Sequence, residues 1–362
     1  MASSGSAQRI VGPGLRERAA LVVGVLGLAV MRVLEEHAAR ERRAEEERAL
    51  EQRRTFRLHD GEAVADGLRR IARGQIDGAV EGLRDCDGTD VGEAVHDARK
   101  RFKRLRALVR LGRDELGAAT YRRENTAFRD AGRGLAGARD AKVLVETLDG
   151  VTEAFADELP DDAFAPLRAR LVTEAKAAHD RLEDDEDALR AVLDALDSAR
   201  ARLETWPLDA QAGYDALAPG FSRIYRRGRR AYEAAAKDPD AEALHELRKR
   251  VKDLWHAAQI ARPVAPKTMR KLARRASKLS DVIGDDHDLA VLRETAAARA
   301  DALSAEEREL LQTLIDRRRR RLQEEALARA RRLYAAKPKK LARLAQKAGP
   351  PAKRRSNAVA RS

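Results

Sequence analysis

A single cysteine, Cys86, stands in 362 residues. That excludes an internal disulfide and a cysteine-based zinc knuckle, and it makes a reduced, cytoplasmic setting the expectation. Aromatic residues are 4% of the chain, which argues against a β-rich fold. Strand-like alternation of Val, Ile and aromatic residues is nearly absent, so helices are the expected elements. The N-terminal apolar run AALVVGVLGLAVM, 19–31, reaches only about 20 Å as a helix, short of the ~30 Å hydrocarbon layer. No A-x-A-like cleavage site follows; the chain continues RVLEEHAARERR. The run reads as an apolar helix that docks on this protein or a partner, with membrane contact the less favoured alternative.

Acidic residues are missing from one end. Residues 333–362 hold nine Lys or Arg and no Asp or Glu, whereas the other 332 residues carry 64 basic and 60 acidic groups. Most of the formal net charge of +13 is therefore in the tail. A basic site in the body must come from sorting charges onto different faces.

Three regions follow from composition. Residues 1–56 hold the apolar run and a charged segment of mixed sign, read as a helical extension. Residues 57–332 form the body. Residues 333–362, with Pro338, Gly349, Pro350 and Pro351, read as a disordered basic tail. Within the body, turn chemistry puts breaks at DCDGTDVG (85–92), ELPDDA (158–163), WPLDAQAG (206–213), KDPDAE (237–242) and ARPVAPKT (261–268). The segments between them suit antiparallel helices.

The body also repeats. AVHDARKRFKRLRAL (94–108) returns as ALHELRKRVKDLWHA (243–257), RRIARGQ (69–75) as SRIYRRGRR (222–230), and GLAGARDAKVLVETL (134–148) as DVIGDDHDLAVLRET (281–295). Two copies, about 57–200 and 208–332, imply two similar helical bundles. At about 100° per residue, His96, Arg99, Lys100, Lys103 and Arg110 share one stripe, opposite Val95, Ala98, Phe102, Leu105 and Leu108. His245, Arg248, Lys249, Lys252 and His256 do the same opposite Leu247, Val251 and Leu254. Solvated helix faces usually mix signs, because like charges one turn apart repel by a few tenths of a kcal/mol. Two stripes without an acidic member point to a polyanion that neutralises them.

Other basic residues can join the stripes: Arg69 and Arg73, with Arg226 and Arg230 in the second copy, and Arg129 and Arg133, with counterparts that include Arg270, Arg274 and Lys278. Arg forks and Lys point charges together suit a row of phosphates. The stripes contain no aromatic residue for base stacking, and no helix-turn-helix appears, so a specific nucleic-acid partner is not expected. A chain of phosphates without bases, inorganic polyphosphate, fits best. The rival is a metal-dependent phosphohydrolase using its HD pairs, His59-Asp60, His96-Asp97, His179-Asp180 and His287-Asp288. Against it, no H-E-x-x-H or comparable ligand spacing occurs, and Lys or Arg one turn from His96 and His245 would oppose a divalent cation. Asp285 and Asp288 of GDDHD are expected to pair with the basic stripes. No metal, cofactor or catalytic residue is expected.

These duplicated motifs, EAVHDARKRFKRLRALVRL (93–111), GARDAKVLVETL (137–148), YRRGRRAY (225–232), EALHELRKRVKDLWHA (242–257) and IGDDHDLAVLRE (283–294), resemble the CHAD domains, conserved-histidine α-helical domains. The resemblance covers about 57–332. It implies an all-α fold of two four-helix bundles related by a pseudo-two-fold, with a basic central channel that binds polyphosphate, and association with polyphosphate granules. Carried over, His96, Arg99, Lys100, Lys103, His245, Arg248, Lys249 and Lys252 are the first phosphate contacts. Many relatives add an N-terminal triphosphate tunnel domain rich in strands. No such region is present here, so its hydrolase activity is not carried over. GARDA in the first copy stands against GDDHD in the second, so the two halves are expected to contact the ligand unequally.

Overall fold

The computed structural model describes residues 55–86, 91–135, 138–183 and 186–347. The chain divides into two units, 1–53 and 54–362. The first of these, with its apolar run, lies outside the described residues, as do 348–362. No strand occurs among the described residues, and no helix among them is long and apolar enough to cross a membrane. The all-α expectation holds.

Eleven helices make up the described body: α1 Val64–Arg84, α2 Val91–Leu111, α3 Arg113–Gly134, α4 Ala138–Ala154, α5 Ala165–Glu183, α6 Glu186–Arg202, α7 Ala218–Lys237, α8 Ala241–Ile260, α9 Pro266–Ala298, α10 Ala305–Leu333 and α11 Pro338–Lys347. Their starts follow local chemistry. The Asp240 side chain accepts from the Ala243 N–H at 2.7 Å and caps α8. Ser304 and Glu307 form a reciprocal capping box at α10. Pro219 and Pro266 stand in the first turns of α7 and α9, where a missing N–H costs nothing. Inside α3, Gly117 takes φ 72° and ψ 160° and bends the helix, a conformation that glycine reaches without the steric cost other residues meet. One part of the tail reading is corrected: residues 338–347, read as disordered, form helix α11. Ala345 on it is fully buried, so an apolar contact holds the segment despite its basic composition.

Two apolar cores hold the body. The larger is built from α1, α2, α3 and α6 together with α7, α8, the first half of α9 and the end of α10; Phe102, Phe128, Trp206, Phe221 and Tyr225 are its largest side chains. The smaller packs Leu148 and Val151 of α4 and Leu167 and Leu171 of α5 against Leu289 and Leu292 of α9 and Leu311 and Leu314 of α10. Each such fully buried side chain contributes roughly 1.5–3 kcal/mol. Both cores draw helices from both sequence copies, so neither copy owns a core.

Polar contacts fix α2 against α8. Arg110 Nη1 donates to Asp253 Oδ1 at 2.7 Å, and Arg250 Nη1 donates to the other oxygen at 3.1 Å. Asp253 is buried, so these bonds specify the register of the two helices more than they add stability. One residue on, at the end of α2, the contact is backbone. Gly220 of α7 lies so close to Leu111 that a β-carbon there would sit 2.9 Å from the carbonyl carbon and closer still to the oxygen.

Candidate anion-binding groove

The duplication extends to side-chain contacts. On α2, Asp97 accepts from Arg101 Nε at 2.6 Å and lies 3.5 Å from Lys100 Nζ. On α8, Glu246 accepts from Arg250 Nε at 2.6 Å and lies 2.8 Å from Lys249 Nζ. Partial burial pushes the Asp97 and Glu246 carboxyls up, but the hydrogen bonds and charges of these cations outweigh it and hold both below the usual range. Lys100 and Lys249, both exposed, thus each sit beside a carboxylate. Such exposed pairs are worth about 0–1 kcal/mol, so a polyanion can recruit both lysines at little cost.

Between α2 and α3 the first copy opens a groove of about 220 Å³. Phe102 and Phe128, both buried, form its floor; Arg99, Lys103 and Arg106 of α2 and Arg129 and Arg133 of α3 line it. Five cations share the concavity and none of its lining residues is acidic. Arg99 donates to the Leu135 carbonyl at 3.3 Å, which ties its guanidinium to the end of α3. Arg129 is engaged by the exposed Asp130 at 2.8 Å, outside the lining, and this hydrogen bond raises its pKa. Burial pushes Arg106 below the ordinary guanidinium value, and the charge of Arg110 adds to it.

Lys103 brings the two copies together. Its counterpart in the sequence repeat, Lys252, feels its charge. Burial first, then Arg248 and Lys103, lower the Lys252 ammonium to about 8, against the opposing pull of Asp288 and Asp281. The α2 and α8 stripes are thus close enough for Lys103 and Lys252 to repel each other.

Around the α8 stripe the surroundings differ. The imidazoles of His245 and His287 lie 4.8 Å apart, and burial followed by neighbouring cations lowers both pKa values. His245 Nδ1 and Arg248 Nε are buried without a hydrogen-bond partner. Arg248 packs over Gly284, where an added β-carbon would lie 3.0 Å from its guanidinium. Three carboxylates, Asp281, Asp285 and Asp288, lie along this part of α9. Asp288 and Asp281 act on Lys252, and Arg248 on Asp285, only through space; among the described residues neither Asp285 nor Asp288 forms the expected ion pair with the basic stripes. Burial, then Asp288, raises the Asp285 carboxyl. The middle acid of GDDHD, Asp286, turns inward instead and pairs with the buried Arg319 at 3.0 Å and with Gln323 at 2.9 Å.

The structure does not bring every sequence candidate to one place. Arg99, Lys103, Arg129 and Arg133 line the groove, whereas His245, Arg248, Lys249 and Lys252 lie on α8 outside its lining. His96 is half-buried on the first turns of α2. Arg69 and Arg73, expected as phosphate contacts, are committed elsewhere: Arg69 donates to the Trp206 carbonyl at 2.8 Å and Arg73 pairs with Glu204, so both hold the turn that joins the two copies. Arg226 and Arg230 are exposed on α7, and Arg274 and Lys278 on α9. Arg106 was missed, although it lies seven residues after Arg99 and three after Lys103 and so shares their helix face. Its counterpart in the second copy is Trp255, and a search for matching basic positions passes over it.

Comparison with known proteins fits this geometry. A family model described as the CHAD domain matches residues 70–297. Two uncharacterised proteins of Mycobacterium tuberculosis, from two strains, are each 29% identical over 226 residues, which cover 59% of this chain and 42% of theirs. The chain thus spans less than half the length of these curated relatives. The crystal structure of the CHAD domain from the plant Ricinus communis superposes with a TM-score of 0.54 at 19% identity, covering 78% of this chain and 95% of that one, which speaks to the fold. With well over half its length matched, the protein belongs to the CHAD domain family, a membership that supports a role in binding polyphosphate.

Proposed function

We propose that the protein binds inorganic polyphosphate without hydrolysing it. The chain lies in the α2–α3 groove and passes over the Lys103–Lys252 junction onto the α8 stripe. The observation that carries this reading is the groove itself, with five cations and no carboxylate among its lining residues. Guanidinium groups there offer paired donors to phosphate oxygens. Bases have no aromatic platform in the groove beyond two buried rings, so nucleic acid is disfavoured. Through the polyanion, the protein would localise to polyphosphate granules.

A salt titration tests the reading. Affinity for long-chain polyphosphate should fall linearly in a plot of log K against log salt, with a slope near the number of phosphates contacted, as for other polyanions. Single-stranded or duplex DNA should not displace it at moderate salt; displacement by DNA at equal phosphate concentration would sink the assignment. The hydrolase alternative makes the opposite claim: orthophosphate release with added divalent metal, lost on His287→Ala. Among the described residues no three His, Cys, Asp or Glu side chains come together in a metal-binding arrangement.

Lys252 adds a pH signature. In the free protein its ammonium loses its proton around pH 8, well below its ordinary value. A phosphate chain beside it restores the charged form, so binding above pH 8 takes up a proton. Affinity is therefore fully developed below pH 8 and falls above it by up to about tenfold per pH unit. Lys252→Arg, whose charge does not titrate, should flatten the profile between pH 7 and 9. An unchanged profile in that variant would remove Lys252 from the contact set.

A further inference from the structure

A second basic concavity lies away from the stripes. It has a volume of about 370 Å³ and is lined by Arg57, His59 and Asp60 from the segment entering α1, by Arg262 from the turn after α8, and by Pro266 and Arg270 from the first turns of α9. Among the described residues none of the three guanidinium groups has an ion-pair partner. The walls are well fixed. Leu58 N–H donates to the Ile260 carbonyl at 2.9 Å, Arg70 donates to the Arg57 carbonyl at 2.7 Å and to Glu62 at 2.6 Å, and Tyr214 O–H reaches the His59 carbonyl at 3.4 Å. Arg70 and Glu62 thus satisfy each other and the backbone, and leave the pocket arginines to face its interior. The first turn of α9 contains no acidic residue, and its cap, Ala265, offers no side-chain acceptor. The field of this 33-residue helix therefore adds to the three arginines.

We propose that this pocket is a separate phosphate-binding site that takes the terminal phosphate of an oligophosphate. Three guanidinium groups and a helix N-terminus around one concavity favour the phosphate that carries the higher charge. A terminal phosphate has two ionisable oxygens where an internal one has a single charged oxygen. Its second proton leaves near pH 6, so at neutral pH it is mostly a dianion, the form that the three guanidinium groups favour. Since a water takes about 30 Å³, the pocket holds more than one tetrahedral anion, enough for a chain end with its neighbour. The pocket's preference for a terminal group stands on its own residues; only the identity of the chain rests on the function proposed above.

The test titrates the full-length protein with three probes: orthophosphate, triphosphate, and long-chain polyphosphate whose ends are esterified. Two variants are compared with wild type, Arg262→Gln/Arg270→Gln in the pocket and Arg129→Gln/Arg133→Gln in the groove. Arg129, Arg133 and Arg270 are at the surface and Arg262 is half-buried, so circular dichroism should be unchanged. The pocket variant should bind triphosphate about tenfold more weakly, from the loss of two charge-assisted contacts, and end-blocked polyphosphate within about twofold of wild type. The groove variant should show the reverse pattern. Triphosphate bound equally by wild type and the pocket variant overturns the inference. So does an equal loss for the end-blocked chain, which would mean internal phosphates occupy the site, or an orthophosphate affinity equal to that for triphosphate, which would mean the pocket reads free phosphate. If the groove variant alone keeps wild-type affinity for long chains, the groove assignment fails while the pocket inference stands.

Discussion

Lys103→Glu combined with Arg133→Glu should weaken polyphosphate binding by about a hundredfold or more, while Lys249→Glu combined with Lys278→Glu in the second copy should cost about tenfold or less. Each charge-assisted contact to phosphate is worth roughly 1.5–3 kcal/mol, and reversal adds repulsion to its loss. The contrast comes from the surroundings. Lys103 and Arg133 line a concavity whose lining holds no acid, so a new carboxylate there faces the ligand with nothing to offset it. Lys249 already shares its charge with Glu246 at 2.8 Å, and α9 carries Asp281, Asp285 and Asp288 along the same stretch, so much of the positive field is spent before a ligand arrives. Equal losses in the two double variants would mean that the copies contribute alike and that the groove is not the principal seat. Both variants change exposed side chains, and helicity measured alongside separates lost binding from lost folding.

Gly220→Ala should be the most destabilising single-methyl change in the body. The added β-carbon would fall 2.9 Å from the Leu111 carbonyl carbon and nearer still to its oxygen, and a backbone carbonyl at a helix end cannot rotate away as a flexible side chain can. Relief requires α7 to shift from α2, against a core anchored by the fully buried Phe221 and Tyr225. A loss of about 3 kcal/mol is expected, within the range for overpacking, or roughly 6–12 °C in the unfolding midpoint for a domain of this size. Gly82→Ala supplies the control. It is exposed within α1 with nothing within 4 Å of the new carbon, so it should gain up to about 1 kcal/mol through helix propensity alone. If Gly220→Ala unfolds at the wild-type temperature, α7 and α2 do not approach as closely as described.

Much of the fold was legible because helix breaks are local chemistry. The turns at 158–163, 206–213, 237–242 and 261–268 fall between helices as Pro, Gly and Asp placement predicts. The basic face of α2 was legible from 3.6-residue periodicity. Less local features were not. Arg69 has the same local context as a phosphate contact, yet its partner is a carbonyl 137 residues away. The tail reads as disordered by composition, because burial of Ala345 on α11 depends on surfaces that composition does not report. GDDHD looks like one cluster, but consecutive helical residues point about 100° apart, so Asp286 faces Arg319 while Asp285 and Asp288 face outward.

The larger core joins α1, α2, α3 and α6 to α7 and α8, and the smaller joins α4 and α5 to α9 and α10. The unit that was duplicated is therefore not the unit that folds. Severing the chain at 206–213 would not release two domains; it would leave each fragment with half of two cores and an apolar face on both. A packing change in either copy is therefore felt in both cores, and through them in the helices of the other copy.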